Sequence, residues 1–198
     1  MPPIAQMCRS VWWAFAAGGV AALVAAALVA PGLVTAPVGA AAWQALAGIL
    51  ILVAALRAPG GLVRAVPVLG AAGAGVILGG VGLLVPALDA RISLIGIGIW
   101  GVVAGAGYLA IARVARAFRV PDGGLYTVAW LGLAVGIAVS TIPAFGLGAA
   151  TLVQAGAIAA TGAISILAAV RLQVLPDEAP PVVSHREARR RERPARGR

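Results

Sequence analysis

The 198-residue chain is 62% hydrophobic and only 11% charged, with a net charge of +9 and a mean hydropathy of +1.02. A soluble domain of this size would have too little polar surface to cover itself, so the composition excludes one and makes a bilayer the natural solvent.

Uncharged apolar runs long enough for a hydrocarbon core of ~30 Å, which takes about 20 helical residues, occur six times. The first, Val11 to Ala30, follows Arg9 and begins near the Trp12–Trp13 pair. It is longer than the roughly 7 to 15 residues of a signal-peptide core and ends at Pro31, so a retained helix is expected rather than a cleaved leader. The phrase "LVAPGLV" (28–34) turns the chain, and Val38 to Leu56 carries it to Arg57. Pro67 to Val85 leads into "LLVPALDAR" (83–91), and Ile92 to Ala112 runs to Arg113. Leu125 to Ile142 leads into "STIPAFG" (140–146), and Ala149 to Val170 runs to Arg171. The strict apolar–polar alternation of a membrane barrel strand is missing from these runs, so helices are expected.

Orientation follows from the arginines. Read alternately, one side receives Arg9, Arg57, Arg64, Arg113, Arg116, Arg119 and Arg171, and the other only Arg91. Basic residues in short loops stay cytoplasmic, which places both termini inside the cell and Trp12 and Trp13 at the headgroups of that face. The expected fold is an all-α membrane protein of six transmembrane helices, built as three tandem helical hairpins over about residues 11–57, 67–113 and 125–171. Residues 1–10 form a cytoplasmic N-terminus, and 172–198 a Pro/Arg-rich cytoplasmic tail, largely disordered. The implied location is the inner (plasma) membrane, with several passes.

The hairpins repeat. Pro31, Pro86 and Pro143 stand 55 and 57 residues apart, each where an odd-numbered run ends. From each proline the next run reaches its arginine after 26, 27 or 28 residues, and Gly48, Gly105 and Gly162 lie at similar depth before those arginines. Trp43 and Trp100 also match. Proline lacks an N–H and clashes with the preceding turn, so the expectation is that each proline stops a helix at the water interface. Asp89 and Arg91 then form a solvated pair in the outer loop of the second hairpin, worth ~0 to 1 kcal/mol. Gly75 and Gly79, Gly101 and Gly105, and Gly132 and Gly136 each make a Gly-x-x-x-Gly, a spacing that lets helices approach closely. Packing within one bundle is the plainer reading, and a homo-oligomer through these faces the alternative.

Chemistry is sparse. The one histidine, His185, lies in the tail, and the one cysteine, Cys8, precedes the first run, where a lone thiol is expected to stay unmodified. No histidine metal site, nucleophile elbow, phosphate loop or dinucleotide fingerprint is present, so no cofactor or metal is implied and an enzyme is the least favoured class. The six runs hold no Asp, Glu, Lys, Arg or His, the groups on which coupled carriers rely. Gln44 and Tyr108 are polar positions in the second and fourth runs. Thr151, Gln154, Thr161 and Ser165 fall at i, i+3 and i, i+4 on the sixth, where they form a candidate polar stripe. Interhelical hydrogen bonding is the plain reading of that stripe, and a polar pathway the sharper one.

The tail has its own character. "LPDEAPPVV" is a proline-rich linker, and "SHREARRRERPARGR" opens with Ser184 and Glu187 in capping-box spacing, which predicts a short helix ending before Pro194. Arg186, Arg189, Arg190, Arg191 and Arg193 are candidate contacts to anionic lipid headgroups, at ~1 kcal/mol per residue near the surface. Nucleic acid ranks below lipid as a partner, because the aromatic or fold-level support of a nucleic-acid module is missing.

Three Gly-rich hairpins, each with a proline at the turn ("LVAPGLV", "LLVPALD", "STIPAFG") and a glycine-containing second helix ("LAGILILVAALR", "AGAGYLAIAR", "TGAISILAAVR"), make residues 11 to 171 resemble the HdeD-like family of small bacterial membrane proteins. The resemblance implies a six-helix inner-membrane protein associated with acid resistance, and it carries over no catalytic or ligand-binding residue. A small transporter or channel is the alternative.

Overall fold

The structure, a computed structural model, describes residues 4–57, 66–85, 89–117, 124–146 and 151–175. Six helices follow in order: α1 (Ile4–Val29), α2 (Ala36–Arg57), α3 (Val66–Leu84), α4 (Ala90–Ala117), α5 (Leu125–Thr141) and α6 (Thr151–Gln173). A 3-10 turn, Ile142–Phe145, extends α5, and no strand occurs among the described residues. Five stretches are long and apolar enough to cross a membrane: Arg9–Val29, Ala36–Arg57, Arg91–Ala117, Leu125–Phe145 and Thr151–Gln173. The chain is thus a multi-pass membrane protein. The third expected span differs from the rest, because its apolar stretch Leu69–Leu84 is shorter than the other five. The whole of α3, 19 residues, rises about 28 Å at ~1.5 Å per residue, close to the hydrocarbon thickness.

Large apolar side chains face outward on every helix. Ile77 is 66% exposed, Ile137 57% and Leu152 73%, an arrangement that only a hydrocarbon solvent tolerates. The interior is filled mainly by alanine, with Trp43, Trp100, Phe15 and Tyr108 as the bulky members. Small buried residues let helix backbones approach, and in lipid that close approach supplies the dispersion contacts which replace the hydrophobic effect.

The repeat is visible in the packing, but its tight unit is not the hairpin. The most extensive interfaces are α2–α3, α4–α5 and α1–α6; those inside the hairpins, α1–α2, α3–α4 and α5–α6, are smaller. The six helices close into a ring in which each even helix seats against the next odd one, and α6 seats against α1. The same seat recurs three times. A Cβ on Gly48 would meet the Ala72 carbonyl at 2.7 Å and the Val76 amide at 2.6 Å. On Gly105 it would meet the Ala129 carbonyl at 3.0 Å and the Leu133 amide at 2.7 Å, and on Gly162 the Gly19 carbonyl at 2.9 Å and the Leu23 amide at 3.5 Å. Each glycine therefore presses on a carbonyl and the amide four residues later, one turn of the facing helix. The three seats are 57 residues apart, the repeat already visible in the glycine positions.

The other members of the Gly-x-x-x-Gly pairs are occupied in the same way. Gly79 packs on Ala41 and Ala45, Gly101 on Gly136, and Gly132 on Gly105, all within one chain. These contacts are antiparallel, as are those of Gly19 with Gly162 and Ile166 and of Gly39 with Ala25 and Val29. It follows that Arg9, Arg57, Arg113, Arg116 and Arg171 share one end of the bundle with the start of α1 and the end of α6. Arg91 lies at the other end, with Pro31 and Pro143.

The turns refine the expectation for the prolines. After α1, Pro31 is followed by Gly32 at φ 79°, whose amide donates to the Val29 carbonyl at 2.9 Å. Pro143 likewise follows a helix end by two residues, after which a 3-10 turn carries the chain on. It sits near the start of the 3-10 turn, where a missing N–H costs nothing, and Gly146 at φ 76° makes the stop, its amide donating to the Pro143 carbonyl at 3.2 Å. Glycine supplies the left-handed residue that ends each path. Pro86 lies outside the described residues. Asp89 and Arg91 are both exposed, joined by the Arg91 amide donating to Asp89 Oδ1 at 3.2 Å.

Candidate functional site

Among the described residues, Gln44, Gln154, Thr161 and Ser165 are the buried ones with amide or aliphatic hydroxyl side chains. Three members of the expected α6 stripe, Gln154, Thr161 and Ser165, therefore face inward, whereas Thr151, at the first residue of α6, is exposed. Helical spacing explains the division, since Gln154, Thr161 and Ser165 at i, i+7 and i+11 stay on one face while Thr151 begins the helix outside the packed zone.

Their hydrogen bonds are largely local. Thr161 Oγ1 donates to the Ala157 carbonyl at 2.9 Å, and Ser165 Oγ donates to the Thr161 carbonyl at 3.0 Å, both one turn back along α6. Back-bonding of this kind satisfies a hydroxyl in lipid without a partner helix. Tyr108 on α4 adds the interhelical link: its hydroxyl hydrogen-bonds to Ser165, and its ring meets Phe15 edge-on at 5.3 Å. Because Ser165 gives its own proton to Thr161, its oxygen is left to accept from Tyr108. The void between Tyr108, Thr161, Ser165 and the Gly101–Gly132 crossing is about 10 Å³, at the lower bound for one water. Around Thr161 and Ser165 the seam between α4, α5 and α6 is thus closely packed.

Two contrasting outcomes are expected. Thr161→Val removes a hydroxyl whose only bond is to its own helix, and should shift stability by no more than ~0.5 kcal/mol. Ser165→Ala leaves the buried Tyr108 hydroxyl without an acceptor and should cost ~1–3 kcal/mol, most of it recovered by adding Tyr108→Phe. Thermal unfolding in detergent micelles reads both.

Two further polar positions, Ser140 and Ser93, were not singled out by sequence. Ser140 Oγ donates to the Gly136 carbonyl at 2.9 Å where Gly98 crosses α5. Ser93 lies in the first turn of α4, and its buried hydroxyl has no hydrogen-bond partner among the described residues. Gln44 Nε2 reaches across to the Gly96 carbonyl at 3.1 Å, joining α2 to α4. Serines at the ends of apolar runs read as boundary residues in sequence, because nothing in the one-dimensional pattern says which neighbour they face.

The arginine end carries two ordered contacts. The Arg116 guanidinium stacks over the Tyr126 ring at 4.2 Å, and Arg171 lies beside Gly124, whose φ of 85° starts α5. Among the described residues no group of three or more His, Cys, Asp or Glu side chains could hold a metal. The tail candidates Arg186, Arg189, Arg190, Arg191 and Arg193, His185 and the Cys8 side chain lie outside what the structure describes. No family model, curated protein or solved structure matches this chain.

Proposed function

We propose that this chain is a non-enzymatic inner-membrane protein of the HdeD-like type that contributes to acid or envelope stress tolerance. The observation that supports it is the threefold glycine seat of Gly48, Gly105 and Gly162, which turns the periodicity behind the resemblance into one closed bundle. In this reading the arginine end faces the cytoplasm, five of the six described arginines being gathered there. The tail then lies on the anionic inner leaflet, with Arg186, Arg189, Arg190, Arg191 and Arg193 contacting lipid headgroups.

The test is survival and cytoplasmic pH after an acid shift in a deletion strain, compared with the same strain re-expressing the chain with and without residues 176–198. Restored pH control supports the stress role, and weaker rescue by the truncated chain assigns part of it to the arginines. Survival and pH unchanged by deletion would overturn it.

Transport along α6 is the second reading, favoured by the inward position of Gln154, Thr161 and Ser165. Gln154→Leu combined with Thr161→Leu should leave rescue intact under the first reading and abolish it under the second.

A further inference from the structure

We propose that the crevice between α2, α3 and α4 at the proline end is a hydrated entrance, which admits a small uncharged hydrogen-bonding solute from the outer aqueous side as far as Gln44. The crevice has a volume of about 140 Å³, room for several waters against the ~10–15 Å³ that one requires. Pro37 in the first turn of α2, Gly82 near the end of α3, and Ile92 and Ser93 in the first turn of α4 surround its upper part. Its floor holds Gln44 and Gly96. Gln44 lies about 12 Å into α2 at ~1.5 Å per residue.

Three observations separate this crevice from an ordinary packing defect. First, its mainly apolar wall carries a polar group that the protein does not saturate. The Ser93 hydroxyl has no hydrogen-bond partner among the described residues, and the Gln44 amide nitrogen donates to the Gly96 carbonyl beside it. An unpartnered polar group beside a void of this size is where an ordered water is held.

Second, the polar pair breaks the repeat. At the 57-residue spacing that relates the glycine seats, Gln44 corresponds to Gly101 and Ile158, and Ser93 to Ala36 and Ala150. The seats therefore do not require these side chains, and only one of three equivalent places has them. Polar groups within a membrane are costly and are kept where they do something. Third, the one charged pair at this end, Asp89 and Arg91, stands beside the mouth, four and two residues before Ser93. Among the described residues no ionisable side chain lines the crevice itself, so a charged ligand would go uncompensated there. Donors and acceptors are both present, which suits a neutral solute.

The inference rests on the orientation in the proposed function, and the test separates the two. The full chain carrying Cys8→Ser receives single cysteines by Asp89→Cys, Ser93→Cys or Gly80→Cys, the last a position where a Cβ meets nothing within 4 Å. A membrane-impermeant methanethiosulfonate is added outside intact cells. Reaction needs the thiolate, which forms only where water reaches. Asp89→Cys and Ser93→Cys should react and Gly80→Cys should not. Glycerol should slow labelling of Ser93→Cys but not of Asp89→Cys, and adding Gln44→Leu should remove that protection.

An unreactive Ser93→Cys beside a reactive Asp89→Cys means a dry crevice and overturns the proposal. Absence of glycerol protection overturns the solute site. If Asp89→Cys reacts only after permeabilisation, the orientation has failed, and reactivity of Ser93→Cys in permeabilised cells then decides the crevice by itself.

Discussion

Gly105→Leu is expected to lower the stability of the bundle by about 3 kcal/mol or more, the upper range for overpacking. The added side chain would strike the Leu133 amide at 2.7 Å and the Ala129 carbonyl at 3.0 Å, and both are backbone atoms of a hydrogen-bonded helical turn. Neither can rotate away as a side-chain tip could, so α4 and α5 must separate and lose contacts along their length. Gly48→Leu and Gly162→Leu should behave alike, since each glycine sits on the same carbonyl–amide step of α3 and α1. Gly156→Leu on α6 serves as the control, because a Cβ there meets nothing within 4 Å and points to lipid. Resistance to unfolding by SDS in mixed micelles measures all four. Similar losses at the three seats with none at Gly156 would bear out the ring of seated pairs, and an unaffected Gly105→Leu would refute it.

Trp100→Ala is expected to cost about 3 kcal/mol, toward the low end of large-to-small changes at a buried tryptophan. The indole is 2% exposed, meets Trp43 edge-on with centroids 6.3 Å apart, and covers Gly75 of α3. Its removal opens a cavity where α2, α3 and α4 meet. In lipid the transfer part of the usual loss shrinks, because the unpacked helices also lie in hydrocarbon, but the cavity part remains. Trp100→Phe should cost less than half as much, since the Trp100 indole N–H has no partner to lose among the described residues. Trp43→Phe should cost more than Trp100→Phe, because Trp43 Nε1 donates to the Gly18 carbonyl at 3.0 Å and ties α2 to α1. Thermal unfolding in micelles ranks the three.

The two tryptophans show how far the repeat could be read in one dimension. Their matching distances from Arg57 and Arg113 are visible in the chain, and so is the common depth of Gly48, Gly105 and Gly162. Which helix each faces is not visible, because a glycine's neighbour depends on how whole helices rotate about their axes. The polar interior divides in the same way. Gln154, Thr161 and Ser165 were legible as one face of α6, and Thr151 was grouped with them by spacing although it ends outside the packed zone. Ser93 was passed over, because nothing in the one-dimensional pattern says that it lines a crevice shared with α2 and α3.

Composition and run length by themselves determined an all-helical chain that needs a bilayer, since 198 residues with 11% charge cannot cover a water-facing surface. The arginine pattern divided the chain between two ends, and the 57-residue spacing announced a threefold repeat. Tertiary structure alone decided that the repeat closes as a ring, with the tight pairs formed between hairpins and across the first and last helices. Connectivity favours neighbours in sequence, but in lipid the helices pack where glycine and alanine let backbones meet, and those faces point from each even helix to the next odd one.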